Sequence, residues 1–226
     1  MSQFVHLHVH TQYSILDGQA SSPKLVDKAI ADGQPGIAVT DHGNMFGIKE
    51  FYNYVKKVKG KFKEKAAACE ARIAALRDGS ETAADPEAEI ARCEKELEEL
   101  RRKMAFKPII GCEVYVAARS RFDKVHEFDA ESRHLVLLCK NEEGYRNLSY
   151  MVSLGFTEGF YIRPRIDMDL LRRHSGGLIS LSACLAGEIP KRLLQRGYDS
   201  AKEYALEMKE IFGEDFYLEL QDHGIR

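Results

Sequence analysis

Short runs of apolar, β-branched residues recur along the chain, and segments with helical periodicity lie between them. The runs predict strands near 4–10, 37–40, 109–116, 134–139, 178–182 and 216–221. The intervening segments predict helices, such as SSPKLVDKAIADG, where Ser22 is placed to cap the helix and Gly33 to end it, and NMFGIKEFYNYVKKVKG, which ends at Gly60. Strands that alternate with helices pair in parallel through right-handed crossovers. The pattern therefore predicts an α/β fold with a parallel barrel or an open parallel sheet.

Residues 60–107 interrupt this alternation with a highly charged segment. Its apolar residues recur at the seven-residue spacing of packed helix pairs, among them Phe62, Cys69, Leu76, Leu97 and Met104. The turn residues of DGSETAADP divide the segment, and Asp85 and Pro86 are suited to begin a second helix. We expect an inserted antiparallel helical hairpin with arms at 63–79 and 86–105.

The hairpin has two interpretations. A solvated structural insertion is the simpler one, because the charged residues are of both signs. The alternative is an arm that binds a partner or guides DNA, for which a predominantly basic surface is expected.

Composition narrows the class of protein. Of the 226 residues, 44% are hydrophobic and 30% are charged, which is typical of a globular protein with a sizeable core. A net charge of −2 and a pI near 6.5 exclude a general electrostatic affinity for nucleic acid or membranes, so any contact with nucleic acid has to be local. The sequence has neither a signal-peptide pattern nor a run of membrane-spanning length. Five scattered cysteines without a C-x-x-C pair indicate a reducing compartment, and we expect a cytoplasmic protein with no membrane partner.

Three histidines stand at alternate positions in HLHVHT, close to the N-terminus. In a strand, His6, His8 and His10 share one face, and their apolar neighbours line the other. Neutral imidazole is the commonest metal ligand in proteins, and two such groups on one face can reach the same ion. A polar strand face with hydrogen-bonded histidines is the competing interpretation, so other candidate ligands have to decide between the two.

Further potential ligands occur at or next to the predicted strands. They are Asp41 and His42 in AVTDHGN, Glu113 in IIGCEVYV, His134 in RHLVLL, Cys184 in LSACL and His223 in LQDHG. In barrel enzymes, side chains at the C-terminal ends of parallel strands converge on one site although they are distant in sequence. His134 departs from this rule, because it opens its predicted strand. The joint occurrence of these residue types favours a metal centre over a separate structural role for each.

The motifs HLHVHTQYSILDG, TDHGNMFGIKEFY, KPIIGCEVYVA, HLVLLCKNEEGYRNL, EGFYIRPRID, GLISLSACLAGEIP and FYLELQDHG resemble the PHP (polymerase and histidinol phosphatase) superfamily. More narrowly, ILDG, GNMFG and GYRNL resemble the N-terminal PHP domains of bacterial DNA polymerase III alpha subunits. The resemblance covers nearly all of 1–226 and leaves out the hairpin at 60–107. It implies a distorted (β/α)7 PHP barrel that holds up to three ions, with zinc, manganese or magnesium as candidates.

The resemblance also implies a role for each motif residue. His8, His10 and Glu113 would bind the first ion, Asp17 and His42 the second, and Glu113, His134 and Cys184 the third. Glu113 thereby bridges two ions, the arrangement with which hydrolytic phosphoesterases hold the attacking and leaving oxygens. His6 is left as a neighbour of the site rather than a ligand.

Four more residues receive roles beside the ions. Asp41 is expected to orient a ligand rather than to bind an ion. Arg163 and Arg165, in YIRPRID, carry forked donors suited to phosphate, and Arg165 is the preferred candidate. His223 is a candidate for binding the same phosphate or substrate. A surface ion pair is the alternative role for either arginine.

The chain ends at Arg226, before the run of Asp and His with which the superfamily's last motif supplies its remaining ligands. We therefore expect a barrel that lacks its last strand and that holds fewer ions than the intact domain. The first and second ions would each be short of one ligand, whereas the site of Glu113, His134 and Cys184 has its full set. The chain alone is expected to show little or no nuclease activity.

Two classes of function fit these features. The first is a metal-dependent phosphoesterase within a DNA-directed DNA polymerase, acting as a 3′–5′ exonuclease on the primer 3′ end. The second is a structural module that docks other subunits of the polymerase III holoenzyme and has no catalysis of its own. A small-molecule phosphatase such as histidinol phosphatase is a weaker third, because the polymerase-type motifs disfavour it.

Overall fold

A computed structural model of the chain describes residues 4–222 and 224. The α-helices in this part of the chain are α1 (Ser22–Ala31), α2 (Ile48–Arg77), α3 (Pro86–Met104), α4 (His126–Asp129), α5 (Glu142–Thr157), α6 (Met168–His174), α7 (Glu188–Arg196) and α8 (Tyr198–Phe212). The strands are β1 (Gly36–Val39), β2 (Lys107–Ala117), β3 (Ser132–Cys139), β4 (Arg165–Ile166), β5 (Leu178–Leu181) and β6 (Phe216–Tyr217). The predicted mixed α/β class is confirmed. Among the described residues, every helix is too short or too polar to cross a membrane.

The six strands form one sheet in the order β1-β2-β3-β5-β6, and β4 pairs with β2 outside this path. The pairs β2–β4 and β5–β6 are parallel, but β3 is antiparallel to both β2 and β5. The prediction of an entirely parallel sheet is therefore wrong. Ala117 pairs with Ser132, and Cys139 pairs with Leu178, so each connection leaves and re-enters the sheet at the same end. Such a connection reverses the direction of the strand, whereas parallel strands need a crossover.

The first predicted strand, at 4–10, is an irregular segment in the structure. Val9 is held to Thr40 in two ways: Thr40 N donates to Val9 O at 2.8 Å, and Val9 N donates to the Thr40 hydroxyl oxygen at 2.8 Å. Because a side chain accepts the second bond, the contact does not extend into a backbone ladder.

The last predicted strand, 216–221, is reduced to the two residues of β6. Glu219 N donates to the hydroxyl oxygen of Ser182 at 2.8 Å, where a strand would use a carbonyl oxygen. A side-chain acceptor again ends the ladder, and it fixes the position of Glu219.

The chain divides into two compact units. The first contains residues 4–6, 21–37 and 49–108 of the described chain, and the second contains 7–20, 38–48 and the residues from 109 onward. The second unit has a large core of residues from the strands and from helices α5, α6 and α8, including Cys112, Val114, Leu135, Leu137, Leu148, Met151, Leu170 and Met208. A smaller cluster consists of Ala38, Val136, Leu138, Leu181 and Ala183. Successive β3 residues belong to different clusters, so this strand is buried on both faces.

The register of β2 against β3 determines where Glu113 points. Cys112 and Val114 belong to the large core, so Glu113, between them, faces the opposite side of the sheet. Glu113 lies directly opposite Val136, a member of the smaller cluster. A carboxylate therefore enters a buried, largely apolar face of the second unit.

In the first unit, α2 and α3 pack against each other, and most of the predicted heptad positions, though not Leu76, belong to their contact. Their contact consists of Ala66, Cys69, Ile73, Cys93, Leu97 and Leu100, with Phe62, Ile90 and Met104 at its margin. Two ion pairs, Arg77–Glu94 and Glu70–Arg101, join the helices. The earlier residue of α2 pairs with the later residue of α3, so the two helices run in opposite directions and are antiparallel.

The boundaries of these helices differ in part from those predicted. Asp85 caps α3 as expected, since its side chain accepts from Ala88 N at 3.0 Å. The helix expected to end at Gly60 does not end there, and α2 continues through this residue as one helix of 30 residues. A glycine inside an exposed helix costs only about 1 kcal/mol relative to alanine, which its lysine- and alanine-rich surroundings can tolerate.

The α2–α3 contact can be tested at Leu97, which is buried, and Glu98, its exposed neighbour. We expect Leu97→Ala to lower the free energy of unfolding by about 3 kcal/mol, because it leaves a cavity between the helices. Glu98→Ala, the matched control on the same helix, should change it by less than about 0.5 kcal/mol. Urea unfolding followed by circular dichroism measures both, and equal stability of the two variants would contradict the packing.

Candidate metal centre

The carboxylate of Glu113 is fully buried and lies where most of the predicted ligands meet. Its oxygens are 3.3 Å from His8 Nε2, 3.4 Å from His10 Nε2, 2.7 Å from His42 Nδ1, 2.9 Å from His134 Nδ1 and 3.7 Å from Cys184 Sγ. The structure thus brings together five side chains from four segments around one carboxylate. We call these six residues the Glu113 cluster.

The rings of His8 and His10 are oriented by contacts on their far nitrogens. His8 Nδ1 lies 2.8 Å from Glu219 Oε1, and His10 Nδ1 lies 2.9 Å from the Ser14 hydroxyl oxygen. Their Nε2 atoms are 3.3 Å apart and both face Glu113. Metal-binding histidines commonly have this arrangement, with one ring nitrogen held by a carboxylate or hydroxyl and the other directed at the ion.

Asp41 holds the turn that carries the next candidate ligand. Its two oxygens accept from Thr11 N at 2.7 Å, from the Thr11 hydroxyl at 2.8 Å and from the Ser14 hydroxyl at 2.6 Å. The turn closes on itself at Gly18, where a Cβ atom would lie 1.8 Å from Thr11 O, so only glycine fits. The result is that Asp17 Oδ2 lies 2.8 Å from His42 Nε2.

On the other side of Glu113, a thiol and an imidazole share one carboxylate oxygen. Cys184 Sγ is 3.7 Å from Glu113 Oε1 and 3.7 Å from His134 Nδ1. The buried ring of Tyr115 borders this group, with its centre 5.1 Å from that of His134 and 5.9 Å from that of His42. The aromatic wall limits the positions that the two imidazoles can adopt.

The negative charge of Glu113 and the positive charges of protonated histidines in the Glu113 cluster stabilise one another. Burial raises the pKa of Glu113, but the imidazoles of His10, His134, His42 and His8 outweigh it and hold the pKa far below its usual range. Burial lowers the pKa of His8, but Glu113 and Glu219 raise it to about 10. For His134, burial is likewise outweighed by Cys184 and Glu113, and the pKa rises to about 9. At neutral pH, without a metal, protons on His8 and His134 therefore balance the buried carboxylate.

The nitrogen and oxygen atoms of the Glu113 cluster are also arranged so that a metal cation could replace the protons on the histidines. Glu113 Oε2 and His42 Nδ1 are buried, yet neither makes an aligned hydrogen bond with the described residues. The same holds for Glu219 Oε2. The donor atoms of His8, His10 and Glu113 lie within 4.8 Å of one another, as do those of His42, Glu113 and His134. Imidazole and carboxylate donors at such separations fit divalent transition-metal ions.

Three non-glycine residues next to the site have a left-handed backbone. Leu16 has a φ of 83°, Ile162 of 64° and Ala183 of 60°. Leu16 directly precedes Asp17, and Ala183 directly precedes Cys184. Such conformations cost of order 1 kcal/mol or more and persist where the surroundings over-determine them. The backbone is thus strained next to two of the candidate ligands.

Arg165, the preferred candidate for binding phosphate, has a different position from the one expected. Its guanidinium is fully buried and donates to the carbonyl oxygens of Gly159, Arg121, Asp123 and Asp129 at 2.8–3.2 Å. Three of these acceptors lie in the connection between β2 and β3. The assignment to phosphate is therefore corrected: Arg165 fastens this connection and has no surface on which an outside phosphate could bind.

Arg163 has the exposure that Arg165 lacks. Its guanidinium lies over the ring of Tyr115, 4.8 Å from the ring centre, and donates to the Tyr115 hydroxyl. Because Tyr115 borders His42 and His134, this guanidinium is the arginine group next to the Glu113 cluster.

Sequence reasoning missed Glu219 and Tyr115. Glu219 stands in FYLELQDHG, four residues before His223. In a strand, an even spacing would put both side chains on one face, which is the signal that could have identified Glu219. Tyr115 stands two residues after Glu113 on β2, so it shares a face with Glu113. His223 lies outside the described residues. His6, expected to be a bystander, packs edge-on against the ring of Phe4.

A model of the PHP domain family matches residues 6–223 of the chain. The DNA polymerase III subunit alpha of Borreliella burgdorferi is 40% identical over 226 residues, covering 100% of this chain and 16% of that protein. The protein of the same name from Chlamydia trachomatis is 42% identical over 97% of this chain and 14% of its own length. That of Thermus aquaticus is 39% identical over 99% of this chain and 15% of its own length. The chain therefore spans between 14% and 16% of the length of these relatives.

The role of Arg165 can be separated from that of Arg163 by two matched variants. We expect Arg165→Met to lower the free energy of unfolding by at least about 3 kcal/mol, because three buried carbonyl groups lose their donor at about 1–3 kcal/mol each. Arg163→Met should cost less than about 1 kcal/mol, the value of an exposed contact between a cation and an aromatic ring. Chemical denaturation measures both, and a mild effect at Arg165 would contradict the buried arrangement.

A second test uses acid, because the connection fastened by Arg165 contains an ion pair between Arg119 and the buried Asp129. The Arg119 guanidinium lowers the pKa of Asp129 to about 2. A depressed folded pKa contributes stability that is complete above the unfolded pKa of about 3.9 and is lost as the pH falls toward 2. We therefore expect the unfolding free energy of Asp129→Asn to fall less than that of the unaltered protein between about pH 5 and pH 2. The exposed control Asp199→Asn should follow the unaltered protein, and parallel curves for all three would rule out the contribution.

Proposed function

Because this chain belongs to the PHP domain family, we propose that it is the PHP domain of a DNA polymerase III alpha subunit and acts there as a metal-dependent phosphoesterase. The observation that carries the proposal is the convergence of four imidazoles and a thiol on the buried carboxylate of Glu113. The specific activity proposed is a 3′–5′ exonuclease, so the proposed partners are the primer 3′ end of DNA and the other subunits of the polymerase III holoenzyme. Such a protein works in the cytoplasm.

The proposed architecture is the PHP barrel of seven strands, of which the observed sheet forms a part. We further propose that residues 60–107 are a helical insertion into this domain. The separate core between α2 and α3 supports this view, because these helices bury apolar surface on each other.

The proposed ligand sets are those that the family resemblance implies, and the contacts of Glu113 and the contact between Asp17 and His42 support them. The first ion would be held by His8, His10 and Glu113, the second by Asp17 and His42, and the third by Glu113, His134 and Cys184. Zinc suits the imidazole and thiolate donors, and the carboxylates also admit manganese or magnesium. When bound, these ions supply Lewis-acid stabilisation of the charge that develops on a phosphoryl group.

The chain's own residues would prepare the site in three ways. Glu113 would contribute its carboxylate to both the first and the third ligand set. Glu219 and Ser14 hold the rings of His8 and His10 with their Nε2 atoms toward that carboxylate. Arg163 presents an exposed guanidinium whose forked donors match two oxygens of a phosphate.

A docking module without catalysis is the alternative. It is favoured by the same cluster in its protonated form, because the pKa values of His8 and His134, about 10 and about 9, let the buried carboxylate be balanced without any ion. The two functions differ in their need for metal, so metal binding and hydrolysis have to be measured together.

The test compares Glu113→Gln, which removes the shared charge with little change in shape, with Glu203→Gln at an exposed position of α8. Calorimetric titration of the chelator-treated chain with Zn²⁺ and Mn²⁺ should show binding that Glu113→Gln weakens by at least about 100-fold. An alpha subunit that carries this chain should shorten a 5′-labelled single-stranded oligonucleotide from its 3′ end. Glu113→Gln should abolish that shortening, and Glu203→Gln should leave both measurements unchanged.

Two outcomes would contradict parts of the proposal. Metal binding that depends on Glu113 without any hydrolysis would favour the docking module. Failure of the unaltered chain to bind either metal would reject the metal centre itself.

A further inference from the structure

Helix α2 begins with a strongly basic stretch in a chain whose net charge is −2. Seven lysines fall within residues 49–65, at positions 49, 56, 57, 59, 61, 63 and 65, against two glutamates, Glu50 and Glu64. The local excess is therefore five positive charges, 7 minus 2. This surface is distinct from the Glu113 cluster and belongs to the first unit.

The basic residues divide between two sides of the helix. Lys49, Tyr52, Lys56, Lys59 and Lys63 are separated by three or four residues and so lie on one side, which we call the Lys49–Lys63 face. This face contains no acidic residue and extends for about 21 Å along the helix. Lys57, Lys61 and Lys65 lie on another side, at helical spacing from Glu50 and Glu64.

The basic side chains of α2 and α3 differ in whether an acidic partner neutralises their charge. Toward the far end of α2 and along α3, basic groups are matched with acids in the pairs Arg77–Glu94, Arg101–Glu70 and Lys103–Glu99. Within the described residues, by contrast, Lys49, Lys56 and Lys63 form no ion pair, and the Lys59 ammonium donates to the carbonyl of Phe106 at 3.2 Å. One side of α2 is thus purely basic, although the helix pair as a whole carries charges of both signs.

A shallow hollow of about 260 Å³ lies on this face, lined by Tyr52, Val55, Lys56, Lys59 and Pro108. The Tyr52 ring is 50% exposed, although it stands between lysines and next to an apolar floor. A half-exposed aromatic ring flanked by cations is the combination with which proteins bind single strands, since a base stacks on the ring and phosphates meet the cations.

We propose that the Lys49–Lys63 face binds single-stranded nucleic acid, with the sugar-phosphate backbone along the lysines and one base against Tyr52. The row of lysines is complementary to a line of phosphates, and the hollow accommodates a flat ring. An acidic polypeptide would match the charge but would make no use of Tyr52. This binding does not depend on the metal centre or on hydrolysis.

The test is a fluorescence-anisotropy titration of the chain with a labelled oligothymidylate of about 20 nucleotides, in EDTA, over roughly 25 to 200 mM NaCl. The logarithm of the binding constant should fall linearly with the logarithm of the salt concentration. We expect Lys56→Gln/Lys63→Gln to reduce the slope by about 1.4, which is about 0.7 for each lost phosphate contact on a single strand. Lys57→Gln/Lys61→Gln removes the same charge from the other side of α2 and should leave the slope unchanged.

A third variant, Tyr52→Leu, isolates stacking. It should weaken binding by about fivefold or more at every salt concentration without altering the slope. All altered side chains are exposed, and circular dichroism verifies that α2 remains helical in each variant.

Each contrary result overturns a stated part of the proposal. Equal losses in the two double-lysine variants would show attraction by net charge rather than by a face. Binding of duplex DNA as tightly as oligothymidylate, with no effect of Tyr52→Leu, would overturn the single-strand assignment. Tighter binding of polyglutamate with the same pattern among the variants would replace nucleic acid by an acidic protein partner. Absence of salt-dependent binding would refute the site.

Discussion

A buried charge has to be balanced by its neighbours, because an isolated carboxylate away from water is very unfavourable. Glu113 imposes this requirement on the second unit, since it enters an apolar face of the sheet with no exposed surface. The side chains that contact this carboxylate come from an irregular N-terminal segment, the end of β1, the start of β3 and the loop after β5. These segments share little secondary structure, and the contacts to one carboxylate are what they have in common. The position of a single side chain on β2 thus explains why four distant stretches of sequence meet at the same place.

Much of this convergence could be predicted from the sequence, because ligand-type residues are recognisable by identity and by their position next to strands. His8, His10, Glu113 and His134 meet although the strand expected at 4–10 is not formed. The pairing directions were not predictable from alternation alone, since the same order of helices and strands is compatible with connections that return to one end of the sheet. The two failed strands share a cause: hydroxyls of Thr40 and Ser182 take the place of backbone acceptors, and hydrophobic periodicity does not register such substitutions.

Arginine was the least predictable residue type. Arg163 and Arg165 stand two residues apart in the same motif, yet one is exposed beside Tyr115 and the other is enclosed by backbone carbonyls. Their roles differ through tertiary acceptors contributed by a distant loop, which local sequence does not contain. The basic side of α2 was likewise not apparent from the mixed charge of residues 60–107, because Lys49, Lys56 and Lys59 precede that segment.

The enclosure of Arg165 has a consequence for the order in which the second unit assembles. Pairing of β2 with β3 closes a short stretch of chain and is inexpensive in entropy, so it can form early. Its connecting loop is fastened by Arg165, whose carbonyl partners at Asp129 and Arg121 lie 36 and 44 residues earlier in the chain. During synthesis those carbonyls leave the ribosome before their donor does and remain hydrated until it arrives. Residues 118–131 therefore depend on a long-range contact for their final form, although the two strands they join are neighbours in the sheet.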